Sequence, residues 1–291
     1  MPLPSGFDRE DKLLIIHADD VGMCHSVNEA TFTGFQQGVV SSCSIMMPCP
    51  WVLEAAKFFR ENPQYDHGIH STLTSEWIFY RWGPVSSKNE VPSLLDDQQY
   101  LWRNAEDAAK APAEEVEVEL RSQVKRAFDL DLKPSHLDTH MGTVYFRPDL
   151  LETYIKVALD SNLIPMLIRP TENALELAKE MGIVLSEGTI SNILKSGLPM
   201  LDNFVGSTFG SDLQERIKWF RATLNEVKPG TITQVIVHLS LCSDEIKAIM
   251  PSYAERCLDY ELVTSKEAIK IIDELGFTLV GWKDLRSAIR A

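Results

Sequence analysis

Two adjacent aspartates, Asp19 and Asp20, lie in the stretch HADDVG, directly after the apolar run at 13–16. Carboxylates this close repel each other, so one of them must be neutralised by a proton, a cation or a metal ion. The same letters also suit a turn, because Asp beside Gly is ordinary turn chemistry and Asp often caps a helix. This stretch alone leaves a turn and a chemical site equally open.

Histidines near the ends of two other apolar stretches could complete such a site. His70 lies in HGIHST and His140 in SHLDTH. With Asp20 they would form a two-histidine, one-carboxylate set, which commonly holds a divalent ion and leaves positions open for water and substrate. Asp19 would then remain free as a base beside a metal-bound water, whose pKa can fall from 15.7 to roughly 7. The residues alone favour a metal-dependent hydrolase and indicate no substrate.

Other ionisable residues fall in or at the ends of predicted strands. His136 and Asp138 share a strand face with His140, so they could orient it or pack beneath it. Arg169 ends IPMLIR and His238 ends TITQVIVH. For the remaining histidines we expect ordinary structural roles: His17, His25 and His67.

Short apolar runs alternate with helical patterns along the chain. LLIIHA, SSCSIMM, HGIHSTL, SHLDTH, IPMLI, TITQVIVHL and FTLVGW predict strands, with IVL at 183–185 a weaker one. This order implies parallel strands joined by right-handed crossovers. It predicts a single α/β domain over 1–291, a (β/α) barrel of about seven parallel strands, with a doubly wound open sheet as the alternative. In such a barrel, active-site residues lie at the carboxyl ends of the strands.

Two stretches interrupt the alternation. Residues 74–112 are rich in aromatics, and residues 186–210 contain Gly and Ser. Long loops in compact domains are commonly lids or binding loops. A surface excursion with its own small core is the alternative.

The composition restricts the partners. The chain has 291 residues and a net charge of −14, which argues against a nucleic-acid partner. We find no apolar run near the ~20 residues of a membrane span, and the polar start predicts no signal peptide. Five cysteines without metal-type spacing predict reduced, buried thiols in a cytoplasmic protein. A homo-oligomer stays open.

Several stretches together resemble the YdjC-like carbohydrate deacetylases, the group that includes chitooligosaccharide deacetylase. They are LLIIHADDVGMCHSVNEA, GVVSSCSIMMPCPW, GIHSTLTSEW, KPSHLDTHMGT, VIVHLS, DYELVTS and GFTLVGWKDL, in the family's order. The resemblance implies a distorted (β/α) barrel related to polysaccharide deacetylases. It also implies a divalent metal, Mg²⁺ or Zn²⁺, held by Asp20, His70 and His140.

The same resemblance implies a reaction and its residues. Asp19 would be the catalytic base, and His238 the acid that protonates the leaving amine. Arg169 would orient Asp19 or bind substrate. The reaction would be hydrolysis of an N-acetyl group on an amino sugar or short oligosaccharide, with release of acetate.

The chain departs from the family pattern beside these residues. Met141-Gly142-Thr143 replaces the further histidines that commonly follow the last ligand, and Leu239 replaces a frequent proline. TLTSEWIFYRWGP resembles a variant substrate loop, and Asp138 is a further candidate contact for the sugar. The aromatic residues of TLTSEWIFYRWGP could stack on a sugar or simply pack the loop. They are Trp77, Tyr80 and Trp82.

Three other functions use similar residues. A non-haem iron oxygenase has the same ligand types, but the strand–helix alternation disfavours it. A non-catalytic carbohydrate-binding barrel is a second alternative, disfavoured by the presence of both Asp19 and His238. A hydrolase for another acyl or phosphoryl substrate is the third, although one carboxylate and two histidines are few for a two-metal phosphoesterase.

Overall fold

A single sheet of parallel strands organises the protein. The computed structural model describes residues 3–180 and 187–290. Its strands are β1 Lys12–Val21, β2 Ser42–Ile45, β3 Gly68–Ser71, β4 His136–Thr139, β5 Ile164–Pro165, β6 Asn203–Val205, β7 Thr231–Val237 and β8 Phe277–Leu279. Every pairing between them is parallel.

The sheet closes into a distorted barrel. Seven strands follow the order β5-β4-β3-β2-β1-β7-β6, and β8 pairs with the start of β1. The segment just after β5 meets the segment just before β6, where Ile168 forms a parallel bridge with Leu201 and the Arg169 N–H donates to the Leu201 carbonyl at 2.8 Å. This closure confirms the predicted barrel and excludes the doubly wound open sheet.

Helices surround the barrel. They are α1 His25–Gln37, α2 Val52–Glu61, α3 Ala105–Ala108, α4 Ala113–Asp129, α5 Pro148–Asp160, α6 Glu172–Glu180, α7 Glu187–Lys195, α8 Leu213–Asn225, α9 Asp244–Ile249, α10 Tyr253–Thr264, α11 Lys266–Glu274 and α12 Trp282–Arg290. Strand β1 is buried between two apolar clusters. Leu14 and Ile16 belong to one, Leu13 and Ile15 to the other. Burial on both faces explains why β1 begins as a continuous apolar run rather than an alternating one.

The prediction that residues 186–210 interrupt the alternation of strands and helices is wrong in part. Residues 187–195 form α7, and Asn203–Val205 form β6, which pairs with β7. So short a strand carries no alternation signal; its pairing and a bond from Asn203 Nδ2 to Thr233 Oγ1 at 3.0 Å stabilise it. Predicted strand IPMLI is shortened to Ile164–Pro165. The weak strand at 183–185 lies outside the described residues.

The segment at 74–112 is largely irregular, as predicted. It contains one 3₁₀ turn, Pro92–Leu94, and the short helix α3. Its buried Trp82 and Leu101 join the main apolar cluster. Glu119 of α4 holds its backbone by accepting from the N–H groups of Val85 and Ser86, each at 2.9 Å. Apolar packing and backbone hydrogen bonds therefore both hold the segment against the barrel.

The cysteines depart from the sequence expectation. Cys242, in the loop after β7, forms a disulfide with Cys257 of α10, so the prediction of five reduced thiols is wrong for this pair. Cys24, Cys43 and Cys49 are free and buried, as expected. Within the described ranges, every helix is too short or too polar to cross a membrane.

Candidate active site

A backbone irregularity brings Asp19 and Asp20 to the same place. Consecutive residues of a regular strand point to opposite faces. The pairing of β1 with β2 shifts register between Ala18 and Val21, and Asp20 takes a left-handed backbone conformation with φ 66°. Aspartate tolerates this conformation better than most residues. Both carboxylates therefore approach Nε2 of His70, Asp19 Oδ2 at 3.8 Å and Asp20 Oδ1 at 3.4 Å.

The three predicted metal ligands lie together at the carboxyl ends of β1, β3 and β4. Asp20 Oδ1 is also 3.2 Å from Nδ1 of His140, the first residue after β4. One ligand atom from each of Asp20, His70 and His140 falls within 4.8 Å of the others, and all three residues are buried. One carboxylate and two imidazoles are a usual donor set for a zinc-like divalent ion. Asp20 Oδ1 is buried and has no aligned hydrogen-bond donor among the described residues. The residues present therefore fit a metal ion.

Each histidine of this set has a carboxylate on its other ring nitrogen. The Nδ1–H of His70 donates to Asp138 Oδ1 at 2.7 Å, and Nε2 of His140 lies 3.1 Å from Glu76 Oε2. Such partners fix the ring orientation of metal-binding histidines. Asp138 therefore orients His70 rather than His140. Its other oxygen accepts from His17 Nε2 at 2.9 Å, and its near-complete burial favours this orienting role over a contact with substrate.

The carboxylates create a negative potential at the two imidazoles. Burial by itself would lower the pKa of His70, but the nearby Asp138 and Asp19 carboxylates outweigh it and hold that pKa well above its usual value. Burial is likewise outweighed at His140, where Glu76 and Asp20 raise the pKa to about 9. A site that favours added positive charge on its imidazoles also favours a bound cation.

Arg256 of α10 is a site residue that the sequence did not reveal. Its Nη2 lies 2.5 Å from Asp20 Oδ2, and both side chains are buried. Burial would raise the pKa of Asp20, but the charge of Arg256, followed by the nearby His140 and His70 imidazoles, holds that pKa well below the usual range. The two residues are 236 positions apart in the chain, and nothing in the spacing signals the pair.

His238 lies beside the predicted base. It directly follows β7, and its Nε2 is 3.8 Å from Asp19 Oδ2. Its backbone N–H donates to Asp259 Oδ2 at 2.8 Å. Burial lowers the pKa of His238 to about 4, and burial raises that of Asp19 to about 6. An unshifted carboxyl and imidazole would titrate in the opposite order.

Two residues have partners that the sequence did not predict. Arg169 places Nε 2.5 Å from Asp202 Oδ1, so Asp202 rather than Asp19 is the carboxylate it contacts. His17, expected to be ordinary, places Nε2 3.4 Å from Asp19 Oδ1 and also bonds to Asp138. His17 thus connects the predicted base to the residue that orients His70.

The aromatic residues of the 74–112 segment have different environments. Trp82 is 3% exposed and its Nε1–H donates to the Thr74 carbonyl at 2.8 Å, which is a packing role. Tyr80 and Trp77 are partly buried, and the Tyr80 hydroxyl donates to the Met23 carbonyl. The neighbouring Phe79 is 90% exposed.

A polar cavity of about 210 Å³ adjoins the site at His238. Its lining consists of hydroxyl and charged side chains: Ser207, Thr208, Arg216, His238, Ser252, Glu255, Arg256 and Asp259. Arg216 is buried and pairs with Asp259 and Glu255. The lining offers both donors and acceptors of hydrogen bonds.

Comparison with known proteins identifies relatives over nearly the whole chain. The family model described as YdjC-like protein matches residues 13–274. A carbohydrate deacetylase of Thermus thermophilus is 30% identical, over 96% of this chain and 95% of its own. A carbohydrate deacetylase of Thermoanaerobacter pseudethanolicus is 26% identical, over 94% and 100%. A chitooligosaccharide deacetylase of Yersinia enterocolitica is 25% identical, over 94% and 99%.

One solved structure supports the fold. A protein of Enterococcus faecalis, named for a proposed role in cellobiose-phosphate cleavage, superposes with a TM-score of 0.76. It is 22% identical and covers 94% of this chain and 99% of its own.

Proposed function

The chain belongs to the YdjC-like family, and we propose that it is a metal-dependent carbohydrate deacetylase. It would remove an N-acetyl group from an amino sugar or short oligosaccharide and release acetate. One observation carries the proposal: Asp19 lies within 4 Å of both His238 and a residue of the Asp20–His70–His140 set. The deacetylase names of the relatives support the substrate class.

Asp20, His70 and His140 would hold one divalent ion. Their mixed nitrogen and oxygen donors suit Zn²⁺ better than Mg²⁺, which prefers carboxylate, carbonyl and water oxygens. When bound, the ion polarises the amide carbonyl and lowers the pKa of water. Asp138 and Glu76 would keep the two imidazoles in the orientation that the ion needs.

Asp19 and His238 would move the protons. Asp19 is free of the metal set, and a general base works best when its pKa approaches the working pH. It would take a proton from the attacking water. His238, whose lowered pKa leaves it neutral at rest, would receive this proton from Asp19 and deliver it to the nitrogen that leaves. The 3.8 Å between Asp19 Oδ2 and His238 Nε2 puts both groups within reach of the same reacting amide. His17 would hold Asp19 from the other side.

The polar cavity at His238 and the aromatic residues of the 74–112 segment could bind a sugar. Hydroxyl-bearing and charged side chains in the cavity can bond to sugar hydroxyls. Trp77 and Tyr80 stay candidates for contacts with the sugar ring, whereas the burial of Trp82 favours packing. Arg169 stays a candidate substrate contact, held by Asp202.

The predicted cytoplasmic location stays a prediction. Disulfides are rare in the cytosol of most organisms, so the Cys242–Cys257 pair argues against it. Fractionation of cells with a thiol-labelling assay of the purified protein would decide both the location and the redox state of this pair.

A substrate panel tests the proposed function. The zinc-loaded protein is incubated with N-acetylated mono- and disaccharides, with the corresponding O-acetyl sugars and with a phosphate monoester. We expect acetate only from N-acetyl sugars, together with an equal amount of free amine. Phosphate release, or acetate from O-acetyl sugars alone, would contradict the amide-directed function.

A further inference from the structure

The carboxylate of Asp20 divides its two oxygens between different partners. Oδ1 faces His70 Nε2 at 3.4 Å and His140 Nδ1 at 3.2 Å. Oδ2 lies 2.5 Å from Nη2 of Arg256. Carboxylates can bind a metal ion through one oxygen or through both. An arginine on the second oxygen removes that choice.

We propose that Arg256 is a positioning residue that keeps Asp20 a one-oxygen metal ligand. The proposal rests on the deacetylase function argued above and assigns to this function a residue of α10. With Oδ2 held by the guanidinium, Asp20 cannot turn both oxygens toward the ion. A position on a bound ion would therefore stay accessible to the substrate.

The fold fixes Arg256 tightly enough for this role. Its carbonyl accepts from the Ser240 N–H at 3.2 Å, in the loop just after His238. Its neighbour Cys257 is bonded to Cys242 of the same loop. The segment that carries His238 and the helix that carries Arg256 are thus joined at two points, close to the residues that act on Asp20 and Asp19.

Asp20 needs such a support. Its left-handed backbone, at φ 66°, lies at the register shift of β1, where the regular ladder that would fix its direction is interrupted. Asp20 is 1% exposed, so in the folded protein Oδ2 is paired with the arginine rather than with bulk water. A simple role in charge balance is the alternative, because Arg256 also offsets the nearby acidic groups.

Substitution of Arg256 distinguishes these roles. Arg256→Met removes the charge and the hydrogen bond but keeps the unbranched stem, and Arg256→Lys keeps the charge without the planar guanidinium. Arg221→Met is the matched control. Arg221 lies on the surface of α8 and pairs with Glu274 of α11, with Nη2 2.7 Å from Oε2. For each protein, the zinc affinity, the absorption spectrum of the cobalt-substituted form, and kcat and KM are measured.

The positioning role predicts a specific pattern. Arg256→Met should keep its zinc affinity within about tenfold, because the second oxygen can join the first, while its cobalt spectrum changes. Its kcat should fall by about 100-fold, near the upper range for partners of metal ligands. Arg256→Lys should share the spectral change, and Arg221→Met should match the unsubstituted protein.

Two results would overturn the inference. One is a cobalt spectrum of Arg256→Lys identical to that of the unsubstituted protein, which would show a role in charge alone. The other is loss of zinc binding in Arg256→Lys while its thermal unfolding is unchanged. If Arg256→Met does not fold, Arg256→Lys alone decides between these outcomes. The cobalt spectrum tests the inference even if no sugar is deacetylated.

Discussion

Asp19 Oδ2 lies 3.8 Å from His238 Nε2, where the adjacent strands β1 and β7 end. The two residues are 219 positions apart in the chain, and the barrel alone brings them together. Their shifted pKa values, about 6 for the carboxyl and about 4 for the imidazole, both result mainly from burial. The 3.8 Å distance, rather than these pKa values, gives the pair the placement of a base and an acid that act on one bond.

Removal of the base should stop turnover without removing the metal. In Asp19→Asn, the Asp20–His70–His140 set is intact, so zinc should bind as in the unsubstituted protein. Acetate release should fall by about 10²–10⁴-fold, the usual contribution of a general base. Asp244→Asn, at a fully exposed aspartate of α9, is the matched control. Near-normal turnover by Asp19→Asn would show that another group is the base.

Glu76 should influence the metal site through His140. His140→Ala should lose both zinc and activity. Glu76→Gln should weaken zinc binding by about 10–100-fold, since it removes the carboxylate that orients the ring. Titration with zinc measures the zinc affinity of both variants, and an assay of acetate release measures their activity. Glu61→Gln, on the surface of α2, serves as the control for Glu76→Gln. Equal zinc affinities of Glu76→Gln and the control would mean that Glu76 does not position the ring.

The aromatic segment should separate substrate binding from packing. Trp77→Ala should raise KM several-fold with little change in kcat. The reason is the loss of about 0.5–1.5 kcal/mol of contact between the Trp77 ring and the sugar. Trp82→Ala should instead lower the free energy of unfolding by about 3–5 kcal/mol, because Trp82 is 3% exposed in the core. Urea unfolding and steady-state kinetics on both variants test this. An unchanged KM for Trp77→Ala would assign Trp77 to packing as well.

The disulfide should contribute to stability. It closes a loop of 15 residues, for which chain entropy predicts about 3 kcal/mol. Thermal unfolding with and without a reductant should show a clear loss of Tm on reduction. Cys242→Ser/Cys257→Ser should unfold at the lower temperature in both conditions. A Tm that does not respond to reductant in the unsubstituted protein would contradict a stabilising disulfide.

The strand-end rule explains what could be predicted. Parallel strands of a barrel bring their carboxyl ends to one rim, so the sequence alone groups residues from β1, β3, β4 and β7. Their apolar runs marked where each strand ends. The strand–helix alternation predicts the barrel, and this rule then groups Asp20 with His70 and His140.

The remaining features depend on long-range geometry. HADDVG does not reveal the register shift that turns both aspartates toward His70. Arg256 lies on a helix with no distinguishing pattern, and its partner Asp20 is fixed only by the packing of α10 on the barrel. Strand β6 exists because β7 offers an edge to pair with, not because NFV favours a strand.

Metal dependence of acetate release tests the central claim most directly. The protein is stripped with a chelator, dialysed and assayed on an N-acetylated disaccharide before and after one equivalent of zinc, with His140→Ala treated in parallel. The account predicts no acetate from the stripped protein, recovery at about one zinc per chain, and no recovery in His140→Ala. Full activity of the stripped protein, or equal recovery in His140→Ala, would contradict a metal centre at Asp20, His70 and His140.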